Sequence, residues 1–536
     1  MAFYQKKPDI IIRNGTIVDG SGNHPYWGDV AVIGDRIDYI GDLSGVDAAL
    51  EIDAAGKYVT PGFIDSHTHS DKTIYRNPEA QSTVRQGVTT EIVGNCGGTN
   101  LNIQHPARKG DFAAALDKIE EMGTSINTAW LCGHNTLRKA ADLYTAEYTE
   151  EQFGIMASLL REAMEAGYAG FSTGLEFIPG IVSKPEEVER LAKIVGEYDA
   201  NYSSHMRDEG TYILEAVEEF LNVVRKSGLR GTVSHLNVKY DNGIPDDYLQ
   251  RCMEMLKRAR REEHLNVFCD MLPNCFAPGS SVAILPPWLY ADGWDAARKT
   301  LADPEGRKRV KADLDRYWRF LGAGGWDRLL YISAHYEVRI NGKVTNVNGV
   351  PFQELVKASG YSDPADCYLD VMASCPHLPG LGDTEMTGQV FFEKTLVDSV
   401  VTDPIYMWMT DSSTATEKGD TIDTSMVSYM STTKFFARYV RDLGVIPIEK
   451  ALVKAAYQPA RHFRLEKRGL LAEGYYADLN VFNLNELEIR STFAEPQKYS
   501  TGMDWVIVNG VPTVIHGEHT GARAGRVLRH LPGQKD

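Results

Sequence analysis

Residues 59–71 read VTPGFIDSHTHSD, and this stretch decides the fold class. A turn at Pro61-Gly62 leads into a short apolar strand that ends in His67-Thr68-His69. Side chains two residues apart on a strand leave the same face, so both imidazoles can bind one metal ion. An isolated pair of this kind more often satisfies polar groups at a strand end. The metal interpretation therefore depends on what the later strands carry.

Seven further apolar segments follow, and amphipathic helices separate most of them. This alternation predicts parallel β/α architecture, and eight strands predict a TIM-like (β/α)8 barrel. In the helix predicted over residues 212–228, Ile213, Val217 and Val224 recur at helical spacing. The eight segments are GFIDSHTH (62–69), GVTTEIVGN (87–95), NTAWLCGHN (127–135), YAGFSTG (168–174), NYSSHMRD (201–208), RGTVSHLNV (230–238), LNVFCDML (265–272) and PIYMWMTDSS (404–413).

The two chain ends show a different pattern, in which short strands are joined by tight turns. Turns predicted at Asn14-Gly15, Gly34-Asp35 and Asn509-Gly510 make hairpins. We expect the two ends to build one small β-sandwich domain beside the barrel. The predicted boundaries are 1–59 for its first part, 60–460 for the metal-dependent barrel, and 461–536 for its second part with a C-terminal tail.

A long insert at about residues 274–390 separates the seventh barrel segment from the eighth. Its composition predicts a helical cap over one face of the barrel. The insert carries the aromatic residues Trp288, Tyr290 and Trp294. They indicate either an apolar pocket for the substrate or an interface that packs against the rest of the chain or against a second copy. A homo-oligomer is therefore possible.

Charge and cysteine content narrow the partners. The formal net charge is −17, from 73 acidic and 56 basic residues, which disfavours nucleic acid and anionic membranes as partners. No apolar run is long enough for a membrane span, and the chain start does not resemble a secretion signal. Seven scattered cysteines indicate neither a disulfide framework nor a paired CxxC zinc site. We expect a cytoplasmic enzyme acting on a small molecule.

Metal-ligating side chains end several of the eight strands, and in a (β/α)8 barrel such ends converge on one site. Cys96 offers a thiolate, a strong zinc ligand, although a buried structural cysteine or a nucleophile are the alternatives. Asp411 follows a very apolar strand, where a carboxylate needs a cation or a proton. The candidate set is His67, His69, Cys96, His134, His205, His235 and Asp411.

With these residues placed, the chain resembles the amidohydrolase superfamily, specifically its N-acyl-D-amino-acid deacylase (D-aminoacylase) family. The resemblance runs nearly end to end. It rests on residues 59–71, Gly94-Asn95-Cys96-Gly97, Gly133-His134, Leu137-Arg138, residues 172–175 (STGL), Ser204-His205 with Arg207 and Glu209, Ser234-His235, residues 285–288 (LPPW), residues 477–482 (ADLNVF) and residues 520–529.

The resemblance implies a zinc-dependent hydrolase of carbon–nitrogen bonds other than peptide bonds. It implies one tightly held Zn²⁺ on Cys96, His205 and His235, and a second, weaker metal position at His67, His69 and Asp411. Asp411 is then the general acid/base for attack of metal-activated water on an N-acyl amino acid or a related N-acyl compound. The residues alone do not divide the ligands between two ions.

The departures from the family pattern concern the substrate. The family carries a tyrosine, a lysine and an arginine that hold the substrate's α-carboxylate. The corresponding places here are Phe177, Asn237 and the arginine-free residues 412–426. Arg138, Arg207, Lys239 or Lys418 are the cations that could substitute. The substrate-binding set predicted from the sequence is His134, Arg138, Phe177, Arg207, Asn237 and Lys239.

Three functional hypotheses remain at this point. The leading one is amide hydrolysis, in which His134 either hydrogen-bonds the developing oxyanion or orients its neighbours. The second is opening of a cyclic amide, such as a hydantoin- or lactam-like ring, which would explain the missing carboxylate anchors. The third is a non-catalytic scaffold on the same fold, which the complete ligand set disfavours.

Overall fold

The computed structural model of the protein describes residue 4 and residues 6–238, 245–290, 292–317, 325–379, 384–390, 393–417 and 425–530. Eight parallel strands pair in chain order and form the predicted barrel. Every predicted segment contains one strand. The strands are Phe63–Asp65, Val88–Val93, Asn127–Gly133, Gly170–Gly174, Asn201–His205, Arg230–Val233, Val267–Met271 and Tyr406–Trp408.

Backbone pairing just beyond the strand ends closes the barrel between its eighth and first strands. Thr68 and Ser412 form a parallel bridge. The backbone N–H of His69 donates to the carbonyl of Ser412 at 2.7 Å. The N–H of Asp411 donates to the carbonyl of His67 at 3.1 Å. Closure therefore places two predicted histidine ligands and the predicted aspartate side by side.

Helices surround the strands, and their ends follow local sequence signals. The helix Ile213–Ser227 ends as predicted at Gly228, which has φ 72° and donates its N–H to the Val224 carbonyl at 2.9 Å. In the described ranges, none of the helices combines the length and apolar character needed to cross a bilayer. The helices that follow successive strands are Gln81–Val84, Asp111–Met122, His134–Ala140, Glu150–Ala166, Pro185–Gly196, Ile213–Ser227, Tyr248–Glu262, Val427–Lys434, Phe435–Asp442, Ile448–Leu452, Val453–Tyr457 and Gln458–His462.

Strands from both chain ends form one nine-stranded sheet with a buried apolar core of its own. Gly34-Asp35 and Asn509-Gly510 form turns between consecutive strands, as predicted. The strands are Ile10–Ile17, Tyr26–Ile33, Arg36–Gly41, Leu50–Asp53, Tyr58–Pro61, Leu479–Phe482, Met503–Val508, Val511–Ile515 and Glu518–His519.

The turn predicted at Asn14-Gly15 is wrong, because these residues form a bulge inside one continuous strand. Asn14 has φ 58°, and its backbone N–H donates to the carboxylate of Asp29 at 2.9 Å. A Cβ on Gly15 would lie 2.4 Å from a Val59 methyl group. An Asn-Gly pair suits a bulge as well as a turn, since both need left-handed backbone and a small residue.

The insert contains helices, as predicted, and also a three-stranded antiparallel sheet that the sequence did not reveal. The indole N–H of Trp288 donates to Asp313 at 2.8 Å, and that of Trp294 to the Cys375 carbonyl at 2.9 Å, so both rings have packing roles within the insert. Its position over the barrel face stays a prediction. The elements are Phe276–Ser280, Leu329–Ala334 and Thr384–Gln389 in the sheet, the short pair Arg339–Ile340 and Lys343–Val344, and the helices Trp294–Ala302, Pro304–Tyr317, Phe352–Ser359 and Pro364–Ser374.

A buried polar network joins the β domain to the third barrel strand. Arg468 forms an ion pair with Asp478 and donates to the side-chain carbonyl of Asn509 at 2.8 Å. Asn127, on the barrel strand, donates to Asp478 at 3.2 Å and accepts from Asn509 at 2.8 Å. All four side chains are buried. The joint therefore depends on complete pairing of polar groups.

Replacing Arg468 with methionine should lower the free energy of unfolding by about 3–5 kcal/mol, because the Asp478 carboxylate stays buried without its cation. Urea unfolding measures the change. The surface variant Lys6→Met, which breaks an exposed pair with Asp38, should cost less than about 1 kcal/mol. Equal costs in the two variants would contradict a specific role for the joint.

Glu91, on the second barrel strand, should make stability fall as pH rises. Burial raises the pKa of Glu91 from its ordinary 4.5 to about 7. Since the folded-state pKa is raised, the stabilising contribution is complete below pH 4.5 and is lost as pH rises to about 7. In Glu91→Gln the free energy of unfolding should decline less over this window, by up to about 1.4 kcal/mol per pH unit. Parallel pH dependence of both proteins would contradict this.

Candidate metal centre

The predicted ligands come together at the C-terminal ends of the first, second, fifth, sixth and eighth strands. Cys96 Sγ lies 3.4 Å from Nε2 of His67 and 3.4 Å from Nε2 of His235. His205 Nδ1 lies 2.9 Å from His235 Nε2. The sulfur therefore stands between two groups of imidazoles.

The aspartate completes the cluster on the side of the first strand. Asp411 Oδ1 lies 3.2 Å from His69 Nε2 and 3.4 Å from His67 Nε2. Three groups of candidate ligand atoms within 4.8 Å of one another consist of predicted residues, namely His67, His69 and Cys96; Cys96, His205 and His235; and His67, His235 and Asp411. A fourth group is Glu176, His205 and Glu209. Six residues far apart in sequence thus converge on one site.

Three of these residues have left-handed backbone conformations, which residues other than glycine rarely adopt. The φ values are 51° for Cys96, 35° for His235 and 52° for Asp411. The N–H of His235 is held by the carboxylate of Asp270 at 2.7 Å. Such strained residues concentrate at functional sites, where surrounding contacts hold them in place. Here the turn after each strand aims the side chain at the cluster.

Glycines make the approach of Cys96 to the neighbouring strand possible. A Cβ on Gly174 would lie 2.1 Å from the Cys96 carbonyl, and one on Gly97 would lie 2.5 Å from the Gly174 nitrogen. The hydroxyl of Ser172 accepts the N–H of Gly97 at 3.1 Å. Close backbone contact between the second and fourth strand ends therefore fixes the position of the sulfur.

The charge states of the cluster suit a cation. Burial alone raises the pKa of the Cys96 thiol, but the imidazoles of His67 and His235 outweigh burial and hold that pKa well below its ordinary value. Burial likewise raises the pKa of Asp411, but the hydrogen bond from His69 and the charge of His67 lower it to about 2. Thiolate, imidazole and carboxylate together form the nitrogen, sulfur and oxygen donor set that zinc prefers.

His134 and Arg138, both predicted to bind substrate, share one carboxylate partner. His134 Nε2 lies 2.7 Å from a carboxylate oxygen of Glu187, and Arg138 donates to the same carboxylate at 2.6 Å and 2.7 Å. All three side chains are fully buried. These contacts connect the end of the third strand to the helix Pro185–Gly196, and the substrate-binding role of His134 and Arg138 stays a prediction.

Of the other residues predicted to bind substrate, one lies against a ligand histidine and two are held by other groups of the protein. The Phe177 ring lies 4.4 Å from the His205 ring, centroid to centroid. Arg207 donates twice to Glu219 at 2.9 Å, so that guanidinium is already paired. Asn237 donates to the backbone carbonyl of His235 at 2.7 Å. Lys239 and Lys418 lie outside the described residues.

Three acids with buried side chains lie around the cluster and were not predicted as site residues, namely Glu176, Glu209 and Asp270. Asp270 Oδ1 lies 3.5 Å from His67 Nδ1. Because Asp270 ends the seventh strand, the convergence of strand ends could have identified it. The two glutamates lie in loops after the fourth and fifth strands. Glu209 is among the residues that carry the family resemblance, whereas the sequence gives no comparable signal for Glu176.

The fold and the site together define a metal-dependent hydrolase barrel, whose ligands project from strand ends. The amidohydrolase family matches residues 50–182 and 394–514. The chain is 30% identical to an N-acyl-D-glutamate deacylase of Alcaligenes xylosoxydans xylosoxydans, over 98% of this chain and 97% of the relative. It is also 30% identical to a D-aminoacylase of that organism, over 97% of both chains.

A solved structure agrees with these sequence matches. An N-acyl-D-glutamate deacylase from Bordetella bronchiseptica, complexed with zinc and a phosphonate mimic of the tetrahedral intermediate, superposes with a TM-score of 0.77. The identity is 26%, and the match covers 98% of this chain and 100% of that chain. The chain belongs to the N-acyl-D-amino-acid deacylase (D-aminoacylase) family of amidohydrolases.

Metal removal should expose a reactive thiolate. In chelator-treated protein, Cys96 should react with iodoacetamide faster at neutral pH than an ordinary thiol, because His67 and His235 hold its pKa well below the usual value. Zinc should suppress the reaction. Peptide mapping identifies the labelled cysteine, and buried Cys132, whose pKa burial raises, serves as the internal control. Equal labelling with and without zinc would show that Cys96 binds no metal.

Proposed function

We propose that this protein hydrolyses the amide bond of an N-acyl-D-amino acid, releasing a carboxylic acid and the free amino acid. The observation that carries the proposal is the Asp411 carboxylate lying against His67 and His69, inside the cluster that includes Cys96. The deacylase relatives, matched over nearly their whole length, support the same chemistry and the D configuration.

The proposed function uses two metal positions, divided as the family resemblance implies. Cys96, His205 and His235 would hold one zinc ion tightly, and His67, His69 and Asp411 would form a second, weaker position. When bound, zinc supplies Lewis acidity, which polarises a carbonyl group and lowers the pKa of water. The sulfur lies within reach of the histidines of both positions.

Asp411 is the general acid/base of the proposed reaction. Its pKa of about 2 leaves it ionised at neutral pH, so it can accept a proton from the attacking water. It then donates that proton to the leaving nitrogen as the carbon–nitrogen bond breaks. The two imidazoles beside it hold the carboxylate in place between these two proton transfers.

The substrate's carboxylate must be recognised differently from the pattern of the family. Phe177 stands in place of the family's tyrosine and has no hydroxyl group, and its ring packs against His205. Asn237 stands in place of the family's lysine and donates to the backbone carbonyl of His235. Arg138 and Arg207, two of the cations that could substitute, are paired with glutamates. We therefore expect a weaker dependence on the free carboxylate than the family's anchors would give.

A substrate panel tests the proposal. N-acyl amino acids of both configurations, their carboxamides, and hydantoin or lactam rings are assayed with the zinc-loaded enzyme. Hydrolysis of the linear N-acyl-D compounds, with the carboxamides retained as substrates, is the expected result. Turnover of only the cyclic amides would replace the proposal with the ring-opening reaction, and no turnover of any amide would overturn it.

Replacing Asp411 with asparagine should lower kcat by about 10²- to 10⁴-fold, because the amide cannot carry the proton. Zinc bound by Cys96, His205 and His235 should remain, as measured by metal analysis of the same sample. Asp398→Asn, on an exposed helix surface, is the matched control and should keep full activity. Unchanged kcat in Asp411→Asn would remove this residue from the mechanism.

A further inference from the structure

The histidines of the fifth and sixth strands present different ring nitrogens to the cluster. His205 turns Nδ1 inward and His235 turns Nε2 inward, with 2.9 Å between the two atoms. A neutral imidazole carries hydrogen on only one nitrogen, and a metal ion needs the other. Something must therefore select a different tautomer for each ring.

The outward nitrogen of each ring faces a glutamate. His235 Nδ1 lies 2.8 Å from Glu209 Oε1, and His205 Nε2 lies 3.2 Å from Glu176 Oε2. Carboxylate oxygens accept hydrogen bonds, so these contacts favour the tautomers that have hydrogen on the outward nitrogens. With the hydrogens on the outward nitrogens, both inward nitrogens keep the lone pairs that can bind a metal ion.

The two carboxylates are held by surrounding groups and are not loosely placed. The backbone N–H of Glu209 donates to Glu176 Oε1 at 3.2 Å. The side-chain amide of Asn237 lies 3.5 Å from Glu209 Oε2. Both glutamate side chains are at most 6% exposed. Their orientation is therefore built into the loops that follow the fourth and fifth strands.

We propose that Glu209 and Glu176 are positioning residues that fix which nitrogen of His235 and His205 binds the metal. This inference rests on the zinc site of the proposed function. Carboxylates that accept from a ligand histidine orient the ring and raise its basicity. Glu209 Oε1 lies 2.8 Å from His235 Nδ1 and 4.0 Å from His205 Nδ1, so this carboxylate faces both rings and we expect it to make the larger contribution to zinc affinity.

The affinity of the protein for zinc, measured by competition with a chelator, is the direct readout. Loss of a supporting carboxylate typically weakens metal binding 10- to 100-fold. We expect about 100-fold weaker binding in Glu209→Leu and about tenfold in Glu209→Gln, whose amide oxygen can still accept from the ring. Glu176→Leu should lose less than Glu209→Leu. Glu219→Gln, a paired glutamate ten residues further on, should bind zinc like the wild type.

Cobalt substitution separates a positioning role from a merely structural one. In Glu209→Leu the ligand-field bands of bound Co²⁺ should shift, while the thiolate-to-cobalt band from Cys96 persists. Thermal unfolding of the metal-free proteins monitors folding, and if the leucine variant does not fold, Glu209→Gln carries the test. Zinc affinity within twofold of wild type in the folded Glu209 variants, or an equal loss in Glu219→Gln, would overturn the inference.

The readout also separates this inference from the proposed function. Zinc affinity is measured without substrate, so a wild type that binds zinc but hydrolyses no amide overturns only the function. A wild type that hydrolyses amides, with glutamate variants of unchanged zinc affinity, overturns only the inference. A wild type that binds no zinc overturns both.

Discussion

The functional centre depends on the contacts that join the eighth barrel strand to the first. Two backbone hydrogen bonds, from His69 to Ser412 and from Asp411 to His67, tie together segments separated by more than three hundred residues. They hold Asp411 with φ 52° and bring its carboxylate against both imidazoles of the first strand. Without this closure the strand ends would still carry ligands, but they would not share one site.

The parts of the fold that follow from topology could be predicted from sequence. Strand ends in a (β/α)8 barrel converge, so His67, Cys96 and His235 could be assigned to one site before any coordinates were considered. His134 also follows a strand end, but it begins a helix, and its Nε2 lies against Glu187. A strand end fixes where a residue lies, but the next backbone turn decides where its side chain points.

Features that depend on local alternatives or on loops could not be predicted in the same way. The Asn14-Gly15 pair suits a bulge and a hairpin turn equally well. Only the pairing of this strand with its neighbour shows which of the two forms. The insert's small sheet joins Phe276–Ser280 to the distant strand Thr384–Gln389, a pairing with no short-range signal. Glu176 and Glu209 reach the cluster through loop conformation, which strand periodicity does not describe.

The central claim is that a zinc ion is bound by the sulfur of Cys96 together with imidazole nitrogens. X-ray absorption at the zinc edge of the purified protein tests this claim most directly, because it counts donor types around the metal. The predicted spectrum contains one sulfur at about 2.3 Å and nitrogen donors at about 2.0–2.1 Å. A coordination shell of oxygen and nitrogen without sulfur would contradict the account.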